Sequence, residues 1–235
     1  MKANSPMIEY FSETAAVYDK RNQPLSAIAT TLHFLTGLIL QQAPVQARVL
    51  CVGVGTGAEI LSLAQANPGW SFVGVDPAKG MLEVCSKRLE QAGVLDRCEL
   101  IHGYVQDLPQ LASFDIVLSF LVAHFVARED RSGFYQAMWQ RLLNKGFFVS
   151  AEISYDLHAE AFPLMLKNWE AVQSLMGATP ESLAKLAVAL HKELTVISPE
   201  ETEKLLRQCG IEIPVRFFQA FMVTGWYGVK SYKDG

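Results

Sequence analysis

A buried strand that leads directly into three closely spaced glycines is the feature that most constrains this chain. The sequence VLCVGVGTGAE, residues 49–59, sets Gly53, Gly55 and Gly57 in a GxGxG spacing after an apolar run. Glycines let the backbone turn sharply, and the helix that follows presents unpaired amides at its N-terminus. A strand, loop and helix of this kind are typical of a site where a ligand lies against bare backbone.

An acidic residue follows the loop at a matching distance. Asp76 lies twenty-three residues after Gly53, at the end of a second apolar run, FVGVD. A carboxylate there can accept hydrogen bonds from both hydroxyls of a ribose, so the loop and the acid together predict a nucleoside pocket. The loop also fits the dinucleotide pattern GxGxxA. By itself it leaves open NAD, S-adenosylmethionine or a tight turn without a ligand.

Length and composition bound the class of protein. The chain has 235 residues, half of them hydrophobic, which suits one α/β domain with additions and a sizeable core. We expect no membrane-spanning segment, because the apolar run Leu32–Leu40 is short and contains His33 and Gly37. Residues 1–11 lack the apolar stretch of a secretory signal, so a cytoplasmic location is expected.

Charge and cysteine usage argue against two further classes. The net charge is −4 and no run of lysines and arginines occurs, which argues against nucleic acid as the main partner. The four cysteines are scattered and form no CxxC pair, so the sequence predicts neither a metal site nor a disulfide framework. They are Cys51, Cys85, Cys98 and Cys209.

Strand-like and helix-like segments alternate through the middle of the chain. Apolar, β-branched runs cover residues 48–53, 71–76, 98–102, 115–120 and 147–153, and helix-like runs cover residues 58–66, 79–92 and 130–143. This alternation predicts a parallel sheet with helices on both faces and with ligands at the carboxyl ends of its strands.

The flanking segments differ from this core. We interpret residues 1–235 as a single domain with four parts. These are an N-terminal helical lid segment (1–45), a cofactor-binding core (48–154), a helical cap insert (157–192), and a last helix with a closing strand pair (198–230). The sequence SPEE at residues 198–201 resembles a helix cap with proline at the first position, and residues 211–229 are rich in strand-forming residues. Because the insert follows the fifth strand, we expect it to cover the ligand end of the sheet.

Two features of the residues favour S-adenosylmethionine over a dinucleotide. Glu59 falls in the first turn after the glycines, where it would repel a diphosphate, whereas S-adenosylmethionine brings one carboxylate together with cationic groups. About fifty residues precede the loop, whereas dinucleotide domains often begin close to theirs.

The order of the motifs is the third feature. VLCVGVGTGAE, FVGVDPAKGML, FDIVLSFLVAHFV and LLNKGFFVSAEIS resemble the successive motifs of class I S-adenosylmethionine-dependent methyltransferases, over about residues 48–154. The resemblance implies a Rossmann-like α/β fold: a doubly wound seven-stranded sheet with one antiparallel strand, N-terminal helices and a helical cap insert. It also implies S-adenosyl-L-methionine as the cofactor and methyl transfer to a small or medium-sized acceptor.

Other functions stay open at this point. A Rossmann-type NAD oxidoreductase is the alternative enzyme, and a catalytically silent S-adenosylmethionine-binding regulatory module is the alternative without turnover. The sequence does not identify the acceptor or the atom that is methylated. It also leaves a homodimer open.

The resemblance further implies a set of cofactor contacts. The start of the glycine loop would lie against the methionine part, Asp76 would hold the ribose, and Pro77 and Met81 would flank the adenosine. The expected cofactor-binding residues are Gly53, Val54, Gly55, Thr56, Gly57, Asp76, Pro77, Met81, Tyr104, Val105, Ser119, Phe120 and Tyr18. Tyr10, Phe11 and Tyr18 resemble the segment that closes over the cofactor in many family members, where aromatic rings can stabilise a sulfonium; ordinary helix packing is the alternative.

The chain departs from the family pattern at two positions. Cys51 stands where the family usually carries an acid that helps to hold the methionine ammonium, and a thiol cannot replace that charge. A core-facing strand residue is the other interpretation of Cys51. Tyr104 stands where an acid often binds the adenine amine, so adenine recognition would depend on stacking and backbone contacts.

Candidates for the chemistry are few. His124, in the loop after the fourth strand, is the candidate general base, with a packing role as the alternative. Glu152 and Asp156 could contact an acceptor or could belong to a solvated corner. Aromatic and methionine residues of the insert could line an acceptor pocket or form core, and these are Phe162, Met165, Trp169 and Met176.

Overall fold

Seven strands form one mixed sheet. They are β1 (Arg48–Val52), β2 (Ser71–Asp76), β3 (Cys98–His102), β4 (Phe114–Phe120), β5 (Leu142–Ile153), β6 (Val215–Ala220) and β7 (Val223–Val229). The computed structural model describes residues 5–231, so the first and last four residues of the expected 1–235 domain lie outside the described part.

The helices flank this sheet in sequence and in space. Those within residues 5–231 are α1 (Ser5–Asn22), α2 (Ser26–Ile39), α3 (Ala58–Ala66), α4 (Lys79–Gln91), α5 (Arg131–Arg141), α6 (Phe162–Leu175), α7 (Pro180–Ala184), α8 (Leu186–Lys192) and α9 (Pro199–Gln208). Ser198 caps α9 as its sequence predicts, because its hydroxyl accepts the N–H of Glu201 and the Glu201 carboxylate accepts the N–H of Ser198.

The strand order is β3-β2-β1-β4-β5-β7-β6. Neighbours from β3 to β5 are parallel, and β7 is antiparallel to both β5 and β6. The predicted seven-stranded sheet with one antiparallel strand is therefore confirmed. The order reverses between β1 and β4, and in such sheets ligands bind at this point, outside the carboxyl ends of the strands.

Each face of the sheet has its own core. Alternate residues of a strand point to opposite faces, so Leu50 and Cys51 of β1 lie in different clusters. On one face Leu50 packs with Met138 of α5 and Leu206 of α9, and on the other Cys51 packs with Ile60 of α3 and with α4. Burial of each large apolar side chain contributes about 1.5–3 kcal/mol, so both helical layers hold the strand ends in place.

The N-terminal helices meet at a turn that contains a proline. Pro24 lies in a short 3₁₀ turn, Gln23–Leu25, between α1 and α2. Helix α1 lies against the start of α4, where a Cβ atom on Gly80 would come within 2.2 Å of the Ser12 carbonyl oxygen. The absence of a side chain at Gly80 therefore lets α1 approach the region next to the glycine loop.

The membrane expectation needs a correction. Within the described residues, the helical stretch Pro6–Gln42 is long enough to cross a membrane and contains an 18-residue window that is apolar enough, with a mean hydropathy of 1.3. The prediction considered only the run Leu32–Leu40. The stretch without charged side chains is longer, because residues 23–47 contain no Asp, Glu, Lys or Arg. In this structure 17% of the apolar window is buried, and Leu32 and Thr36 face inward.

Three helices, α6, α7 and α8, form the insert within the described residues. Thr179 caps α7 by accepting the N–H of Ser182, Pro180 begins that helix, and Lys185 separates it from α8. Trp169 and Leu190 of the insert pack with Ala151 of β5 and with α2. The insert therefore lies at the carboxyl end of β5.

Candidate active site

The glycine loop adopts a backbone that only glycines fit well. Gly53, Gly55 and Gly57 have φ angles of 70°, 50° and 80°, in the left-handed region. A Cβ atom on Gly53 would lie 2.3 Å from the side chain of Val122, and one on Gly57 would lie 2.6 Å from the sulfur of Cys85. The loop is thus pressed between the segment after β4 and helix α4.

Asp76 joins this loop to the end of β2. Its Oδ2 accepts the N–H of Gly55 at 2.9 Å, and its Oδ1 accepts the N–H of Ala78 at 2.8 Å. Burial raises the pKa of the carboxyl, while these two backbone hydrogen bonds and His102 oppose the rise. Each carboxylate oxygen keeps a further lone pair, so the pair of ribose hydroxyls can still be accepted.

A polar cluster that the sequence did not indicate ties α1 to the loop. The Thr56 hydroxyl donates to Asp19 at 2.7 Å, and Arg88 donates to the Thr56 hydroxyl and carbonyl, both at 2.8 Å. Arg88 also forms an ion pair with Asp19 at 3.0 Å. We call these three residues the lid cluster. Asp19 directly follows Tyr18 in the segment that resembles a closing element, which was the available signal.

The aromatic face of α1 lies over the start of α4. Met81 is 3% exposed and packs with Ala15, next to Phe11 and Tyr18. Burial raises the pKa of the Tyr18 hydroxyl, which Arg21 opposes and to which nearby carboxylates, including that of Asp76, add. Tyr18 and Met81 therefore come together at the expected adenosine side of the loop.

Pro77, Tyr104 and Val105, three other expected cofactor-binding residues, already make contacts within the protein. The Pro77 carbonyl lies 3.0 Å from His102 Nε2. The Tyr104 N–H donates to Asp107 at 2.8 Å, so the nearby acid caps its own turn. Val105 is 2% exposed and belongs to the core, so its side chain is not placed for the cofactor contact that the sequence predicted.

At the end of β4, the two expected residues take different roles. The Ser119 hydroxyl is buried and donates to the Val52 carbonyl at 2.9 Å, so it joins β4 to β1 rather than facing a ligand. Phe120 stacks on His33 of α2, with ring centroids 5.8 Å apart. Leu121 follows with φ at 58° and is 40% exposed, which presents its side chain at the ligand end.

The structure does not favour His124 as a base. The residue is 2% exposed, and its Nδ1 accepts the N–H of Ile153 at 3.3 Å. Burial, with a smaller effect of the Arg131 guanidinium, lowers the pKa of the imidazole to about 3. A group with such a pKa is a weak base at neutral pH, so the geometry agrees with the packing alternative.

The two carboxylates near the carboxyl end of β5 are also bonded to other groups of the protein. Glu152 is fully buried, forms an ion pair with Arg131 at 3.0 Å, and accepts hydrogen bonds from Tyr135 at 3.1 Å and Thr202 at 2.8 Å. The network joins β5 to α5 and α9, which is a structural role. Asp156 accepts the N–H of His158 at 2.9 Å in an exposed turn.

Cys51 and Glu59 lie together behind the loop. Cys51 is fully buried in the core, as its core-facing interpretation predicts, and burial raises the pKa of its thiol, with the Glu59 carboxylate adding to the rise. Glu59 is 7% exposed, and burial raises the pKa of its carboxyl to about 8.

A surface depression and the core of the insert lie apart from the glycine loop. A surface depression of about 330 Å³ lies between the ends of α1 and α6, where Lys20, Arg21 and Met176 contribute to its lining. Trp169 is 4% exposed and belongs to the core of the insert. Among residues 5–231, no group of three or more His, Cys, Asp or Glu side chains is placed to hold a metal ion.

Comparison with known proteins agrees with this geometry. A family model described as "Methyltransferase domain" matches residues 49–146. A carboxy-S-adenosyl-L-methionine synthase of Campylobacter lari is 23% identical, and the match covers 87% of each chain. A ubiquinone biosynthesis O-methyltransferase of Azorhizobium caulinodans is 28% identical, and the match covers 71% of this chain and 59% of the relative.

Solved structures share the fold. A candidate S-adenosyl-L-methionine-dependent methyltransferase of Methanococcus maripaludis superposes with a TM-score of 0.64 at 16% identity, covering 95% of this chain and 94% of that chain. A candidate O-methyltransferase of Nostoc punctiforme superposes with a TM-score of 0.67 at 16% identity. It covers 94% of this chain, which spans 60% of that longer protein. The family match shows a methyltransferase domain over residues 49–146, and the solved structures show the same fold as the motifs and the sheet order. These findings support the class I S-adenosylmethionine-dependent methyltransferase assignment, with S-adenosyl-L-methionine as the cofactor.

Proposed function

We propose that this enzyme transfers a methyl group to a small or medium-sized apolar acceptor. The acceptor binds between the N-terminal helices and the insert, at the carboxyl ends of β4 and β5. The observation that carries this proposal is that this end of the sheet is covered from two sides. The lid cluster holds α1 to the glycine loop, and the insert packs near Phe120 and Ile153. A covered site favours ligands small enough to be enclosed.

The charges around the loop fit the cofactor. Asp76 and Glu59 are two buried acids next to the loop, and Arg88 is engaged by Asp19 and Thr56. A cofactor with a sulfonium and an ammonium gains from such carboxylates, whereas a diphosphate would be repelled by them. When bound, the cofactor supplies an activated methyl group with a good leaving group.

The geometry supports the following cofactor contacts. The Asp76 carboxylate accepts the ribose hydroxyls, while Tyr18, Met81 and Pro77 lie at the adenosine side. Glycine-loop backbone from Gly53 to Gly57 lies along the methionine part. Tyr104 contributes through its ring or backbone, and Phe120 lies nearer the transferred group.

Apolar side chains set the character of the acceptor. Phe120 stacked on His33 and the exposed Leu121 form a largely apolar surface at the end of β4. Planar or aliphatic groups can pack on such a surface, and its few polar groups would fix their orientation. We therefore propose an acceptor with an apolar body.

Catalysis then depends on alignment and exclusion of water. His124 is a weak base by its environment, and Glu152 is bound to Arg131, so neither is free to take a proton from an acceptor. Holding two reactants in line can by itself supply a large part of the acceleration. The favoured acceptors are those whose attacking atom needs no protein base, such as a thiolate, a phenolate, a carbanion or a free amine.

Formation of a carboxylated cofactor is a second candidate. The carboxy-S-adenosyl-L-methionine synthase of Campylobacter lari matches 87% of this chain. Mass spectrometry after incubation of the purified protein with S-adenosylmethionine and cell extract distinguishes the candidates. Methyl transfer leaves S-adenosylhomocysteine, whereas the second reaction leaves a cofactor that is heavier by a carboxyl group.

A second incubation with the purified protein tests the class of acceptor. The purified protein is incubated with S-adenosylmethionine and sets of phenols, amines and thiols that carry apolar bodies, and S-adenosylhomocysteine is measured. Product with one set supports the proposal and identifies the methylated atom. Tight S-adenosylhomocysteine binding without turnover on any set or with extract would instead support a silent regulatory module.

Location and partners complete the proposal. We propose a cytoplasmic enzyme that acts on a small molecule rather than on nucleic acid, which the net charge of −4 supports. A homodimer is included in the proposal, and sedimentation of the purified protein tests it.

A further inference from the structure

Glu59 is a buried carboxylate with no cation of its own. It lies in the first turn of α3 and is 7% exposed. It forms no salt bridge within the described residues 5–231. A buried charge without a partner costs free energy, so the position calls for a cation that the protein does not supply.

The groups around Glu59 come from every element next to the loop. Cys51 of β1, Cys85 of α4 and the Tyr18 hydroxyl of α1 all feel its charge, and the Asp76 carboxylate of β2 raises the pKa of the Glu59 carboxyl. Arg88 of α4 lowers that pKa, but its guanidinium is already bonded to Asp19 and Thr56 within the lid cluster. The surroundings of Glu59 are therefore short of positive charge.

We propose that Glu59 is the acid that attracts the α-ammonium of the cofactor's methionine part, in place of the acid that is absent at Cys51. The inference rests on the cofactor site described above. Cys51 is the last residue but one of β1, two residues before Gly53, and Glu59 is the second residue of α3, just after the loop. The Glu59 carboxylate lies near enough to Cys51 to raise the pKa of its thiol, so a carboxylate at either position would occupy the same space next to the loop.

A pH dependence of cofactor binding follows. Before binding, burial holds the pKa of the Glu59 carboxyl at about 8, so much of it is protonated at neutral pH. A cation next to it favours the ionised form, so binding lowers this pKa and releases a proton. Affinity for S-adenosylhomocysteine should therefore rise from about pH 6 to about pH 7, below the pKa of about 7.7–8.0 at which an α-amino group loses its own proton.

The test compares two ligands on the variant Glu59→Gln. S-adenosylhomocysteine carries the ammonium, whereas methylthioadenosine has the same nucleoside and thioether but no amino-acid part. By calorimetry, Glu59→Gln should weaken S-adenosylhomocysteine binding by about tenfold to hundredfold, the usual effect of removing a charged hydrogen-bonding partner. Methylthioadenosine binding should change by less than about twofold, because it lacks the charged group. The variant should also lose the proton release and the pH dependence.

Controls separate this role from a structural one. Glu83→Gln on α4 removes an exposed carboxylate that pairs with Lys79, and it should bind both ligands as the wild type does. Equal losses for both ligands in Glu59→Gln, or no loss for either, would overturn the inference. If the wild-type protein bound neither ligand, the cofactor assignment itself would fail, which is a different outcome.

A second variant tests the equivalence of the two positions. Cys51→Asp combined with Glu59→Gln returns a carboxylate to the strand side of the same space. Recovery of S-adenosylhomocysteine affinity with no change for methylthioadenosine supports the inference. A double variant in which both ligands gain equally would contradict it, because the gain would then not involve the ammonium.

Discussion

At the scale of single residues, two backbone N–H groups prepare Asp76 for its ligand. The N–H groups of Gly55 and Ala78 hold the two carboxylate oxygens in place before a ribose arrives. Because the carboxylate is already fixed, little side-chain entropy is lost on binding. The cost of burying the group is partly offset by the same hydrogen bonds, which oppose the rise of its pKa.

Replacement of the Asp76 carboxylate should weaken binding of the cofactor. In Asp76→Ala, ribose hydroxyls would be left without acceptors, so S-adenosylhomocysteine binding should lose about 1–3 kcal/mol, measured by calorimetry. Asp115→Ala is a matched control, since Asp115 accepts the N–H of Arg48 at the opposite end of β4. Equal affinity of Asp76→Ala and the wild type would exclude the ribose role.

His124 should affect stability in acid rather than catalysis. Its folded pKa, about 3, lies below its ordinary value of 6.5, so the unfolded chain binds the proton first. The stabilising contribution is fully present above about pH 6.5 and is lost as the pH falls toward 3, by at most about 1.4 kcal/mol per pH unit. In His124→Gln the thermal midpoint should fall less between pH 6.5 and acid than in the wild type.

The rate of methyl transfer tests whether His124 acts as a general base. Once an acceptor is known, folded His124→Gln should transfer the methyl group near neutral pH at the same rate as the wild-type enzyme. A loss of about a hundredfold or more with unchanged cofactor affinity would restore the general-base role.

The limits of sequence reasoning at this scale lie in side-chain direction. The glycine loop and Asp76 were predictable, because their spacing along the chain is itself the signal. The orientation of His124 depends on the Ile153 N–H and on Arg131, which come from other elements. No local pattern encodes such a contact.

At the scale of elements, α1 is held to the core by close backbone contact and by the lid cluster. The side chains of Arg88 and Asp19 are 30% and 45% exposed, so their ion pair contributes little to global stability. Its role is local: it decides how closely α1 lies to the glycine loop. Local opening of such a segment can be rapid while the sheet stays intact.

A methyl group at the α1–α4 contact should loosen the lid. In Gly80→Ala the new Cβ would lie 2.2 Å from the Ser12 carbonyl oxygen, so α1 must move away. We expect faster hydrogen exchange in residues 5–22 and weaker S-adenosylhomocysteine binding. Gly37→Ala is the matched control, because its Cβ would meet nothing within 4 Å and should favour α2 by about 1 kcal/mol. Unchanged exchange in Gly80→Ala would show that α1 does not depend on this contact.

Element order was more predictable than element ends. The alternation of strands and helices from residue 48 to 154 predicted the parallel sheet, because both periods are visible in the sequence. The insert was harder: Pro163 near the start of α6 and the Thr179 cap of α7 set boundaries that apolar periodicity does not show. β5 begins at Leu142, directly after α5, five residues before its apolar run.

At the scale of the whole molecule, the cofactor site joins parts that are distant in the chain. The glycine loop follows β1, Asp76 ends β2, Tyr18 lies in α1, and the segment after β4 presses on Gly53. A ligand bound there contacts all of these elements at once. It should therefore stabilise the folded chain as a unit rather than one helix alone.

The cofactor should raise the thermal midpoint, and NAD should not. A ligand that binds only the folded state at a hundred times its dissociation constant contributes about 2.7 kcal/mol, and for a chain of this size that corresponds to about 5–10 °C. We expect this shift with S-adenosylhomocysteine in differential scanning fluorimetry. The shift should be much smaller in Asp76→Ala and unchanged in Asp115→Ala. A larger shift with NAD than with S-adenosylhomocysteine would contradict the assignment, since two buried acids beside the loop disfavour a diphosphate.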